Sequence, residues 1–96
     1  MSLFVAQHQH TAETCPAADP QMGPMLAQHV SPAGAEQFGL NLHGEAVLDG
    51  AHTLVLIVDA PERENVERFM APFAQVGSVE ISPASRCEAV VARAAC

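Results

Sequence analysis

The chain has no lysine, no tryptophan and no tyrosine. Its only fixed cations are four arginines, set against eleven acidic residues, for a formal charge of −7. So acidic a surface repels phosphate backbones and anionic headgroups, which argues against nucleic acid or a membrane surface as partner and favours cations. With four phenylalanines as the whole aromatic complement, stacking platforms for bases are scarce. Cysteine is sparse too. The three thiols, Cys15, Cys87 and Cys96, cannot all pair, so at least one is free or metal-bound. No apolar run approaches the roughly 20 residues of a membrane span. The first run, from Leu3 to Ala6, is short for a signal peptide and has no basic flank. A cytoplasmic, reducing location is the expectation. A glycine-rich phosphate loop, a Gly-x-Ser-x-Gly elbow and a Met-x-Cys-x-x-Cys copper motif are all missing.

What is present fits one domain over residues 1–96, about half of it apolar, with a modest core. Leu3 to Ala6, followed by alternating Gln and His, reads as a first strand, and residues 11–18 as a loop. Asp19-Pro20 marks a helix start. Met22, Met25, Leu26, His29 and Val30 share one helical face, as core. Ser31-Pro32 starts a short helical turn that ends at Gly39. Leu40, Leu42, Ala46 and Leu48 alternate with Asn41, His43, Glu45 and Asp49, giving a half-buried second strand. Asp49-Gly50 signals a hairpin, and Thr53–Val58 is a continuous apolar strand. Asp59 to Glu62 has capping-box spacing before a helix with Val66, Phe69, Met70 and Phe73 as its stripe and Pro72 as a kink or stop. Ser78–Ile81 is a fourth strand. Glu88–Val91 is either a strand extension or a short helix.

The order strand, helix, strand, strand, helix, strand predicts an α+β, ferredoxin-like βαββαβ fold with an antiparallel sheet of order 4-1-3-2. The central first and third strands are expected to run parallel. On that expectation the end of the first strand lies near the starts of the second and fourth, with His43 nearby and His52 at the opposite end.

The chemistry concentrates in Gln7–Cys15, Gln-His-Gln-His-Thr-Ala-Glu-Thr-Cys. Alternate strand residues share a face, so His8 and His10 converge. The following turn can return Cys15 to them. Two imidazoles and a thiolate suit zinc, then copper or nickel, and His-x-His on a strand supplies zinc ligands in carbonic anhydrases. Cys87, placed a short loop beyond the fourth strand, is the expected fourth ligand. The alternative for this set is two surface histidines and inert thiols. His43, with Glu45, is a candidate acid/base pair or further ligand, or simply solvated. His29 reads as a satisfied core histidine, His52 as a turn residue, Cys96 as a mobile terminus. The methionines at helical spacing read as core rather than as copper ligands.

The stretch from His43 through Val-Leu-Ile-Val-Asp-Ala-Pro61 to Val79-Glu-Ile-Ser-Pro83 resembles small bacterial nickel-binding ferredoxin-like proteins, and the whole chain resembles the dimeric α/β-barrel superfamily. That resemblance covers the second to fourth strands and does not extend to His8, His10 and Cys15. It implies a homodimer with two sheets face to face. Two functions follow as expectations: a small transition-metal-binding protein, or an α/β-barrel enzyme of isomerase, dehydratase or monooxygenase type acting on a small organic substrate.

Overall fold

A computed structural model describes residues Met1–Cys96. Four strands, β1 (Ser2–Gln9), β2 (Asn41–Leu48), β3 (Thr53–Ala60) and β4 (Ser78–Ala84), form one open sheet. Its order is β2-β3-β1-β4, with every neighbouring pair antiparallel. The four helices are α1 (Met22–His29), α2 (Pro32–Glu36), α3 (Arg63–Ala74) and α4 (Cys87–Arg93). The architecture is α+β. No helix is long and apolar enough to cross a membrane.

The central strands run antiparallel, which corrects the parallel expectation. Gln9 pairs with Thr53 on one side and Ser78 on the other, while Ser2 pairs with Ala60 and Leu3 with Ala84. The helical crossover through α1 and α2 leaves β2 parallel to β1, and the β2–β3 hairpin then reverses the chain, so β3 runs against β1. The end of β1 therefore meets the start of β3, the end of β2 and the start of β4. His52 lies at this end of the sheet, and His43 belongs to the other.

Local chemistry explains most element boundaries. The Asp19 carboxylate accepts from the Gln21 and Met22 N–H groups at 2.8 and 2.9 Å, satisfying free donors at the start of α1. Ser31 Oγ accepts from Gly34 N at 3.1 Å, with Pro32 at the first helical position. Asp59 does not cap α3, against the capping-box expectation. It stays inside β3, and α3 starts at Arg63 without a side-chain cap. Pro72 sits inside α3 two residues from its end, where it removes the hydrogen bond to the carbonyl four residues back without ending the helix. Strand β4 runs past Ile81 through Pro83, which an edge strand tolerates. Residues 87–93 resolve as helix.

One sheet face is covered. Phe4, Ala6, Leu54, Leu56, Val58 and Ala60 pack against Val66, Phe69, Met70 and Phe73 of α3, with Leu26, Val30 and Phe38 at the margin. Met70 is core as expected, but Met22 and Met25 are 48% and 68% exposed. They lie on the outer side of a helix that touches the core through Leu26 and through the His29 ring stacked on Phe69. The opposite sheet face is open and includes Ile57, 39% exposed.

Candidate metal centre

Strand β1 brings Phe4, Ala6 and His8 to the helical face in alternation, and His10 continues that face one residue past the strand. The His10 amide still donates to the carbonyl of His52 at 3.1 Å, so the pairing of β1 with β3 extends into the Asp49–His52 turn. Within that turn Gly50 and His52 have positive φ, 74° and 48°. Gly50 adopts this without strain. His52 adopts it against its side chain, which is uncommon outside turns and functional sites. The result aims the His52 ring at His10, with centroids 5.2 Å apart.

The third member arrives on a 3-10 turn over Ala12–Thr14. Thr14 Oγ1 donates to Thr11 O at 3.2 Å and lies 3.4 Å from Val76 O, which pins the turn against the segment before β4. Cys15 follows it. One donor atom each from His10, Cys15 and His52 lies within 4.8 Å of the other two, and all three residues are half-buried. A tetrahedral zinc shell needs donors about 3.3–3.8 Å apart, given Zn–N of roughly 2.0–2.1 Å and Zn–S of roughly 2.3 Å.

His8 stands behind this trio. It is 2% exposed, and its Nδ1–H donates to the Ser78 carbonyl at 3.0 Å. Its Nε2 lies 3.2 Å from His10 Nδ1. Burial pushes the His8 imidazole below its ordinary value, partly offset by the Ser78 carbonyl. Burial also lowers His10, with the neighbouring His8 and His52 adding to the effect. Both rings are therefore neutral at pH 7, and neutral imidazole is the form that ligates a metal. His10 Nε2 is buried with no hydrogen-bond partner. Buried ring nitrogens are rarely left so.

The structure separates the sequence candidates. His10 and Cys15 come together. His8 touches His10 but has both nitrogens engaged. Cys87 does not approach, because β4 runs on to Ala84 beside Leu3, at the far end of the sheet. It opens α4 there and is exposed, as is Cys96. His52, expected to be a distant turn residue, enters the cluster. The signal for it was the antiparallel sense of β1 and β3, which puts the Asp49–His52 turn beside His10.

His43 occupies a bulge, since Leu42 pairs with Val58 and Gly44 already with Ile57. The extra residue breaks the expected Asn41-His43-Glu45 alternation. His43 Nε2–H donates to Asp59 Oδ2 at 2.6 Å, whereas Glu45 pairs with Leu56, a helix-facing position. The two candidates thus diverge. His29 is satisfied as expected: its Nε2–H donates to the Phe69 carbonyl at 2.9 Å, and its ring stacks on Phe69 at 4.2 Å.

No curated protein matches the chain. The sequence profile of a family described as a domain of unknown function, DUF3303, matches residues 4–95. With nearly its whole length matched, the chain belongs to the DUF3303 family.

Proposed function

We propose that the protein binds one transition-metal ion through His10 Nε2, Cys15 Sγ and a ring nitrogen of His52. The observation that carries this reading is the buried, unpartnered His10 Nε2, set among a thiol and a second imidazole within ligand reach. Zinc suits one thiolate and two imidazoles best, with copper and nickel next. The three residues leave one position of a tetrahedron to water or an incoming ligand. The acidic surface assists by raising the local cation concentration. The strand order, read from the β4 edge as 4-1-3-2, supports a ferredoxin-like assignment within the dimeric α/β-barrel group. The open, partly apolar sheet face with Ile57 exposed supports a homodimer, checked by light scattering at micromolar concentration.

The deciding experiment is elemental analysis of protein purified without a histidine tag. One equivalent of zinc, copper or nickel, lost in Cys15→Ser, is expected. A wild-type protein that never holds a stoichiometric ion overturns the reading.

A second reading has its own observation. His43 and Asp59 form a short hydrogen-bonded pair on the sheet face the helices leave open, an arrangement in which the carboxylate orients the imidazole for proton transfer. On this reading the protein is a small-molecule enzyme with His43 as its base. It predicts that His43→Ala abolishes a turnover that Cys15→Ser leaves intact.

A further inference from the structure

His8 poses a question that ligation does not answer. It lies among core side chains, 2% exposed, with its ring 5.0 Å from that of Phe73. Leucine would fill the same space without the desolvation cost of a polar ring. Imidazole differs in offering a donor at one nitrogen and an acceptor at the other. Both are used here, at 3.0 Å to Ser78 O and 3.2 Å to His10 Nδ1.

The direction of these bonds follows from one fixed point. A carbonyl only accepts, so His8 Nδ1 carries the proton facing Ser78. In the neutral ring Nε2 then carries a lone pair. The proton between the two histidines must belong to His10 Nδ1. His10 Nε2 is left with its lone pair, and that is the buried atom without a partner. A backbone carbonyl on β4 thereby determines which nitrogen of His10 is left with its lone pair free.

The backbone makes room for this chain of bonds. A Cβ on Gly77 would stand 2.1 Å from Gln9 O and 2.8 Å from His8 Cε1. Only glycine lets the start of β4 close over the His8 ring and bring the Ser78 carbonyl within reach.

We infer that His8 is a positioning residue that holds His10 in its Nδ1–H tautomer, making Nε2 a preset ligand for a borderline divalent cation such as zinc. This rests on His10, Cys15 and His52 being the ion ligands. Donating Nδ1–H to an acceptor fixes the ring plane and strengthens Nε2 as a donor, and losing such a partner typically costs 10–100-fold in metal affinity.

The test combines zinc competition titrations with nitrogen-15 NMR of the apo imidazoles. His8→Leu is expected to weaken zinc binding roughly 10–100-fold while keeping the thiolate-to-cobalt absorption that reports Cys15 ligation. His8→Gln, whose amide offers both an acceptor and a donor, is expected to recover most of that loss. In apo wild type, His10 is expected to be protonated at Nδ1 and bare at Nε2. Wild-type affinity in His8→Leu, or the reverse tautomer at His10, overturns the inference. Zinc binding that survives His10→Ala overturns the ligand assignment instead, and the apo tautomer still decides the role of His8 even where a His8 variant fails to fold.

Discussion

His10 and His52 are joined twice. The His10 amide donates to the His52 carbonyl at 3.1 Å, and the two rings stand 5.2 Å apart at their centroids. The backbone bond sets the register, so the ring approach follows from the β1–β3 pairing itself. The two imidazoles are therefore preorganised by the sheet, and Cys15 is the thiol that the neighbouring turn brings beside them.

Ligand substitutions should separate the two ends of the sheet. His10→Ala, Cys15→Ser and His52→Gly each lose the ion, whereas Cys87→Ser, Cys96→Ser and His43→Ala retain a full equivalent. Metal content after exhaustive dialysis checks this. Loss of the ion in Cys87→Ser would show that the far end of β4 folds back to the site.

His52→Gly also probes backbone strain. Glycine accepts the positive φ that histidine adopts at a cost of about 1–3 kcal/mol, while its own unfolded-state entropy offsets about 0.5–1 kcal/mol. Apo His52→Gly should therefore be at least as stable as the wild-type apo protein, even though it no longer binds the ion. A urea midpoint well below wild type would contradict this.

Gly77→Ala should destabilise the apo protein. The added methyl meets Gln9 O and His8 Cε1 inside contact distance, and overpacking of this kind typically costs 1–3 kcal/mol. For a domain of this size that lowers Tm by about 4–8 °C per kcal/mol. An unchanged midpoint would show that β4 can move away freely.

Acid should act on the fold and on the site in the same direction. The folded-state pKa values of His8 and His10 are lowered from 6.5, chiefly by burial. The unfolded chain then binds more protons, so the stability they contribute is fully present above about 6.5 and is lost as pH falls through the lowered folded values. Ligation needs the same neutral rings, so ion affinity falls over the same range. Thermal midpoints between pH 7.5 and 5, with and without zinc, check it. His8→Leu should flatten the apo profile, and a wild-type profile that is flat already would contradict the assignment.

The fold was legible where periodicity was strong. Thr53–Val58 and the Val66-Phe69-Met70-Phe73 stripe carry unambiguous periods, and both lie where expected. His10 and Cys15 were legible because they are close in sequence and flank a strand end. His52 was not, because its place depends on the sense of β3 relative to β1, which alternation along a single strand does not encode. Met22 and Met25 satisfied a helical stripe, yet α1 meets the core through Leu26 and His29, with Val30 following. A stripe records what a helix can bury, whereas the sheet width decides what it does bury. The β2 bulge at His43 was invisible for a related reason: an inserted residue shifts the alternation without marking itself.

The antiparallel turn at Asp49–His52 has a mechanical consequence. An ion bound as proposed by residues 10, 15 and 52 would be a cross-link tying the last residues of a central strand to the hairpin beside it. In the unfolded chain the same cross-link would close a loop of some forty residues, which loop-closure entropy makes unfavourable in the way a disulfide does. The holo protein should therefore resist the partial opening by which β1 would peel away from β3. Amide hydrogen exchange at Ala6, His8 and His10 should slow on zinc addition to a greater degree than exchange in α4, which lies at the other end of β4 and shares none of the constraint.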